Sequence, residues 1–269
     1  MFLFGDTLRC MPVPMYLVDA FVSQQFRGNP AGVCVLESEP AKAWMQTVAH
    51  EINQAETAFC WPREGGDWEL RWFTPVCEID LCGHATLATA HILSTTGRSP
   101  LPVTFWTNSG ALIVEARGDE YSMDFPARPT FEEVDPSVLS EVLDVPVLEA
   151  RCSSSAFLAR LESEDAVRAV QPNIPKIAAL GKIGLIITAP GTESDFVSRF
   201  FAPNYGVNED PATGSAHCAL APFWSPILGR NTMIGHQLSL RGGKIGVTAN
   251  GDRVLLFGAA RTFLEGSIL

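Results

Sequence analysis

Glu56 opens an apolar stretch, Glu56-Thr57-Ala58-Phe59-Cys60-Trp61, directly after a segment with helical spacing. A carboxyl in that position loses part of its hydration to its neighbours, which favours the neutral form and raises the pKa. Such a group can both take and return a proton near neutral pH. A solvated acid at a strand end is the plainer alternative. His84 stands in Leu81-Cys82-Gly83-His84-Ala85, at the start of a predicted helix. The positive end of the helix dipole lowers an imidazole pKa there and keeps the ring neutral, able to donate to or accept from a reacting oxygen or carbon acid. A ring that only packs or caps is the competing reading. Asp210 precedes Pro211 in the loop that enters a second predicted helix, at Thr213-Gly214-Ser215-Ala216. It either caps that helix through the Thr213 or Gly214 N–H groups or faces the cleft as a second acid. Cys82 sits where a helix N-terminus would activate a thiol.

These residues belong to one pattern that the chain states twice. Arg71-Trp72-Phe73-Thr74-Pro75, Glu78 and Cys82-Gly83-His84-Ala85 are echoed by Arg199-Phe200-Phe201-Ala202-Pro203, Glu209 and Thr213-Gly214-Ser215-Ala216. In both copies a glutamate stands five residues before the glycine, and the second loop is three residues longer. The shared order and spacing predict two half-molecules of like design, each ending a strand at the mouth of a helix. Gly83 and Gly214 would let a ligand approach the backbone closely, and the free N–H groups of a first turn suit a carboxylate or phosphate. Two such mouths facing each other would form an anion site between the halves. Thr213 holds the position that matches Cys82, so a racemase with one thiol on each face of its substrate is disfavoured.

The elements that must carry these residues follow from patterning. Strands are predicted over 15–22 and 31–36, with a turn at 26–30 between them. Pro40 at N1 opens a helix that ends near Asn53, and strands over 56–61 and 68–73 make a hairpin. Residues 83–96 form a helix apolar on every side, with Gly97 as its stop, and a helix of that kind is buried inside a wrapping of sheet. Strands over 103–107, 111–116 and 121–125 follow. A boundary is expected in the proline-rich stretch 126–136, dividing the chain into halves 1–125 and 126–269, with the last strand able to pack on the first half. The second half repeats the scheme: a helix at 136–144, a strand at 155–161, a short helix after Ser163, and strands at 183–189 and 196–201. A second buried helix follows at 214–228, which Pro222 and Pro226 should kink or shorten, then strands at 236–241, 244–249, 253–259 and 261–264.

Composition narrows the function. A net charge of −11 and a pI near 4.9 argue against nucleic acid, so positive charge for an anionic substrate must be local. No apolar run reaches the length of a membrane span, and residues 1–10 read as a disposable extension rather than a signal peptide. The seven cysteines include no CxxC pair, which suggests neither a disulfide framework nor a structural zinc site and fits the cytoplasm. His84, His91, His217 and His236 show no metal-binding spacing, and no glycine-rich nucleotide loop occurs, so neither metal nor cofactor is expected.

Taken together, Val18-Asp19-Ala20-Phe21, Gly28-Asn29-Pro30-Ala31, Asn53-Gln54-Ala55-Glu56-Thr57-Ala58-Phe59, Leu81-Cys82-Gly83-His84-Ala85-Thr86, Glu209-Asp210-Pro211-Ala212-Thr213-Gly214-Ser215-Ala216-His217 and Arg241-Gly242-Gly243 resemble the successive signatures of the PhzF family of phenazine-biosynthesis-like isomerases. The resemblance spans about 11–268. It is nearer to the phenazine biosynthesis-like domain proteins of unassigned substrate than to the phenazine enzyme proper. It implies an α+β, diaminopimelate-epimerase-like fold: two pseudo-symmetric halves, each a mixed, barrel-like sheet round a central helix, with the site between them, usually in a homodimer. It also implies that the catalytic glutamate falls on Glu56, the supporting histidine on His84, the aspartate on Asp210 and the serine on Ser215. Gly83, Gly214, Thr213, Cys82 and Ala85 would line the substrate position. The expected reaction is a cofactor-free isomerisation in which Glu56 moves a proton between carbons of a small carboxylate. The rival readings are an amino- or hydroxy-acid epimerase that uses Cys82, and a non-catalytic protein that binds small acids in the same cleft.

Overall fold

Strand and helix alternate in the same order twice. In a computed structural model that describes residues 12–128, 132–153 and 155–269, the first run is β1 (Val13–Ala20), β2 (Asn29–Val35), α1 (Lys42–Ile52), β3 (Glu56–Pro62), β4 (Trp68–Phe73), β5 (Glu78–Ile79), α2 (Gly83–Thr95), β6 (Val103–Thr107), β7 (Gly110–Arg117) and β8 (Glu120–Pro126). The second is β9 (Glu132–Val134), α3 (Pro136–Leu143), β10 (Glu149–Cys152), β11 (Ala156–Arg160), α4 (Glu164–Ala169), α5 (Ile174–Ala179), β12 (Gly184–Pro190), β13 (Phe196–Ala202), β14 (Val207–Asp210), α6 (Gly214–Leu228), β15 (Thr232–Gln237), β16 (Gly243–Asn250), β17 (Arg253–Gly258) and β18 (Ala260–Ile268). The expected extension 1–10, with Cys10, lies outside the described residues.

The pairings repeat as closely as the order. β2 runs parallel to β3, β3 antiparallel to β4, and β4 parallel to β6. In the second run β11 is parallel to β12, β12 antiparallel to β13, and β13 parallel to β15. β8 pairs with β17 and joins the two halves into one 18-stranded mixed sheet. The last strand crosses between the halves. β9 pairs with β10 within the second run, while β18 ends that run and pairs with β1 of the first, from Val13↔Ile268 to Ala20↔Ala260. This full-length pairing makes β18 longer than the expected 261–264.

Each half closes round a helix without a polar face. Helix α2 buries His84 to Ala90 continuously, and α6 buries Ala216 to Ala221 with Phe223 and Trp224. Small side chains let the sheet approach from all sides, which is why Ala and Thr recur through α2 and Ala, Gly, Ser and Cys through the first turns of α6. Their residues form one apolar core with Val18, Val33, Leu70, Phe105, Leu220 and Leu256. Satellite cores lie under α1 and under α3 to α5. No helix among the described residues is long and apolar enough to cross a membrane.

Several local expectations change. Helix α1 begins at Lys42 with Ala41 as its N-cap, so Pro40 lies outside it rather than at N1. Helix α6 runs its full fifteen residues through Pro222 and Pro226 and is not shortened. Pro222 lacks the N–H that would bond the Cys218 carbonyl, and the backbone N–H of Arg128 bonds it instead at 3.0 Å. β15 starts at Thr232, earlier than expected, and passes straight through Gly235. A Cβ at that position would stand 2.5 Å from the Phe196 ring and 2.9 Å from His217 Nε2. The glycine therefore marks close packing inside a strand, not a break. The short strands β5, β10 and β14 and helix α5 have too few residues to show a period, and periodicity missed them.

Candidate active site

The two helix mouths face each other. A Cβ placed on Gly83 would lie 3.9 Å from the Cα of Gly214, and one on Gly214 would lie 3.8 Å from the Cα of Gly83. The N-cap residues Cys82 and Thr213 make no side-chain cap hydrogen bond, and the one side-chain acceptor at the α2 first-turn N–H groups of His84 and Ala85 is the weakly accepting Cys82 sulfur. Between the mouths lies a cavity of about 360 Å³. Glu56, Cys82, Gly83, His84, Asp210, Thr213, Gly214 and Ser215 all line it. Ala85 does not: its side chain is fully buried, and its backbone N–H faces the Cys82 sulfur.

The repeated Arg and Glu positions make the same brace in both halves. Arg71 Nε donates to Glu78 Oε1 at 2.7 Å, and Arg199 Nε donates to Glu209 Oε1 at 2.7 Å. Each guanidinium also lies over the phenylalanine two residues on, Phe73 or Phe201. Each pair ties the end of a strand to the loop entering the buried helix, which fixes where that helix starts. Arg71 and Lys42 together hold the Glu78 carboxyl down at about 2, with the Arg71 hydrogen bond the largest cause.

Glu56 is the first residue of β3, and its side chain is 15% exposed. Burial, with a smaller push from the negative charge of Asp210, raises its pKa to about 8. Its Oε2 lies 3.3 Å from His84 Nε2, but the two are not aligned as a hydrogen bond, and both atoms are buried without another partner. They are the polar groups left for a ligand to satisfy. Burial lowers the His84 pKa to about 3, so the ring is neutral as expected, although desolvation rather than the helix dipole is the cause. Its Nδ1 lies 3.3 Å from the Asn29 amide nitrogen and 3.5 Å from Cys82 Sγ. Both Asn29 amide hydrogens go to Asp210 and the Ala212 carbonyl, whereas the protonated Cys82 thiol can donate to Nδ1, which leaves the ring proton on Nε2, toward Glu56.

Asp210 does not cap α6 through backbone N–H groups. Its Oδ1 accepts from Asn29 Nδ2 at 2.9 Å, and its Oδ2 accepts from the Thr213 hydroxyl. The Thr213 N–H goes to Gln237 Oε1 at 2.8 Å. Burial raises the Asp210 pKa to about 6, against the two hydrogen bonds that lower it. With two donors on Asp210 and none on Glu56 Oε2, Asp210 ionises first and Glu56 keeps its proton longer. Ser215 is exposed to the cleft on the first turn of α6.

Two residues of this network were not picked out by sequence reasoning. Asn29, read as a turn former and as part of the Gly28-Asn29-Pro30-Ala31 signature but given no role at the site, is fully buried and holds both Asp210 and the Ala212 carbonyl. Gln237 holds the Asp210 carbonyl and Thr213 from the end of β15. A buried amide between glycine and proline at the head of an apolar strand was the available signal for Asn29; Gln237 had none. The motifs Val18-Asp19-Ala20 and Arg241-Gly242-Gly243 support Asn29 from behind. Arg241 binds Asp19 at 2.6 Å and the Gly28 carbonyl at 2.9 Å.

Cys82 departs from its expected activation. Burial and the charge of Glu56 push its thiol well up, so it rests protonated despite the backbone N–H groups of Ala85 and His84. Glu56, Cys82 and His84 place potential ligand atoms within 4.8 Å of one another, a triplet that sequence spacing could not show. A metal would bind there only after displacing the thiol proton that burial retains. His91 and His217 have structural partners: His91 meets Tyr121 and Thr262, and His217 meets the Thr213 carbonyl.

Comparison with known proteins identifies the family. The family model described as phenazine biosynthesis-like protein, PhzC-PhzF, matches residues 18–266. The chain is 44% identical over 264 residues to an uncharacterized isomerase of Halalkalibacterium halodurans, covering 96% of this chain and 99% of that one. It superposes on a crystal structure of a PhzF-family phenazine biosynthesis protein from Enterococcus faecalis with a TM-score of 0.91, at 40% identity and covering 96% and 100% of the two chains. A hydroxyproline epimerase from Agrobacterium vitis shares the fold at a TM-score of 0.62 and 10% identity, covering 96% and 92%. The doubled helix-mouth pattern and the length of these matches place the chain in the PhzC-PhzF family of phenazine biosynthesis-like proteins.

Proposed function

We propose that this isomerase moves a proton between carbons of a small carboxylate-bearing substrate, with Glu56 as the group that takes and returns it and with no cofactor. The observation that carries the reading is the buried, unpaired Oε2 of Glu56, 3.3 Å from His84 Nε2 and beside the two facing helix mouths. A carboxyl raised to about 8 is matched to proton transfer at physiological pH. The substrate carboxylate lies across the first-turn N–H groups of α2 and α6, where negative charge developing on its oxygens is stabilised. His84, protonated on Nε2, orients the Glu56 carboxylate, while Asp210 remains an anion held by Asn29 and Thr213. Ser215 adds a hydroxyl at the same mouth. Cys82 is a poor second base because its thiol is held protonated and Thr213 stands opposite it. We place the enzyme in the cytoplasm and expect a homodimer.

The test is deuterium incorporation in D2O, screened by mass spectrometry over metabolite extracts and candidate cyclic and amino acids. A compound that gains one mass unit with the wild type and with Cys82→Ser, but not with Glu56→Gln, supports the reading. Exchange that survives Glu56→Gln, or that depends on Cys82, refutes it. Small-acid binding without exchange in any ligand would leave the non-catalytic reading.

A further inference from the structure

We propose that Arg128 determines specificity in the cleft by binding a second carboxylate of the substrate, so that the natural substrate is a diacid. The inference rests on the proton-transfer reading above and extends it to the substrate class.

Three acidic residues line the cavity, Glu56, Asp80 and Asp210, and among the described residues Arg128 is the single lysine or arginine that does so. An anion entering beside these acidic residues, on a chain of net charge −11, needs a local cation. The helix mouths supply partial charges for one carboxylate, and Arg128 supplies a full charge elsewhere on the wall.

The position of Arg128 is built into α6. Pro222 frees the Cys218 carbonyl, and the Arg128 N–H fills it at 3.0 Å. That bond pins the backbone of Arg128 against the helix beside Cys218, which also lines the cavity. The guanidinium itself is near: its charge draws down the Cys218 thiol, against the larger upward push of burial. Nearby Arg253 is already paired with Asp124. No carboxylate among the described residues pairs with Arg128, which leaves its planar fork open for a bidentate carboxylate. Arg128 is exposed, at the solvent side of the cavity, while Phe125, Phe200 and Leu256 form apolar wall that offers a ring or chain a surface between the two acidic ends.

The experiment is calorimetric titration with cyclohexanecarboxylate and with the 1,2-, 1,3- and 1,4-cyclohexanedicarboxylates, a series that varies the spacing of the second carboxylate. Wild type, Arg128→Met and Arg128→Lys are compared, with a thermal melt to confirm that each is folded. At least one diacid should bind wild type about tenfold or more tighter than the monoacid, a preference that Arg128→Met abolishes and Arg128→Lys retains in part. Monoacid affinity should move by less than about threefold in Arg128→Met. Absence of a diacid preference in wild type, or its survival in Arg128→Met, overturns the proposal. Glu56-dependent exchange in D2O is read separately. Its presence without a diacid preference removes only the role of Arg128, and a diacid preference without exchange removes only the proton-transfer reading.

Discussion

Replacing Glu56 by Gln should stabilise the protein, by an amount that grows with pH. The unfolded chain releases the Glu56 proton near its ordinary value of 4.5, whereas the fold holds it to about 8. Between those values the folded state binds one more proton than the unfolded state, so wild-type stability falls as pH rises. At about 1.4 kcal/mol per pH unit, that interval bounds the cost of ionising Glu56 in the fold at about 5 kcal/mol. Water entering the open cleft and small movements of the neighbours reduce it, and about 2–4 kcal/mol is expected. Glutamine keeps the shape of the neutral acid and cannot ionise, so the variant escapes this cost. Thermal melts of both proteins from pH 4.5 to 9 provide the assay. The two melting temperatures should nearly coincide at pH 4.5, diverge above it and differ by about 5–10 °C beyond pH 8, the variant being higher. A constant offset across the range, or a variant that loses ground above pH 7, would show that Glu56 is not a desolvated acid and would remove the basis for its catalytic assignment.

Further consequences follow from the same geometry. Proton abstraction requires the ionised form of Glu56, so kcat/KM for exchange should climb with pH toward about 8; a profile that peaks below pH 6 would contradict the assignment. Arg199→Met strands Glu209 and the Val167 and Val170 carbonyls, and should cost about 3 kcal/mol or more in denaturant titrations. Arg71→Met should cost less, because Lys42 still reaches Glu78 at 2.5 Å. In Gly214→Ala the added Cβ meets Leu256 at 3.2 Å and closes on Gly83, so the fold should survive while affinity for small acids drops about tenfold or more by calorimetry. Unchanged affinity would mean that the helix mouths do not hold the ligand.

The chain's own order of residues determined the two buried helices, the doubled strand–loop–helix pattern and the candidate proton carrier. Each of these is written locally. Helices α2 and α6 show it in small apolar residues on every side, the two mouths in matched spacing from arginine to glycine, and Glu56 in an acid placed against an apolar strand. The tertiary structure alone decided what those residues do to one another. Asn29 and Asp210 are 181 positions apart and meet only because the first turns of α2 and α6 converge. Gln237 joins them from the end of a strand whose sequence carries no sign of that task. The repeated Arg and Glu, given no role by the sequence, proved to be braces, and Cys82 proved to be buried and protonated instead of activated. That the last strand packs on the first half was open to the sequence reading, but its full-length register against β1 was set by the tertiary structure. Burial sets the pKa of Glu56, His84 and Cys82, and burial is a property of everything packed around a residue. It is decided by contacts distant in the chain, which neither periodicity nor motif spacing records.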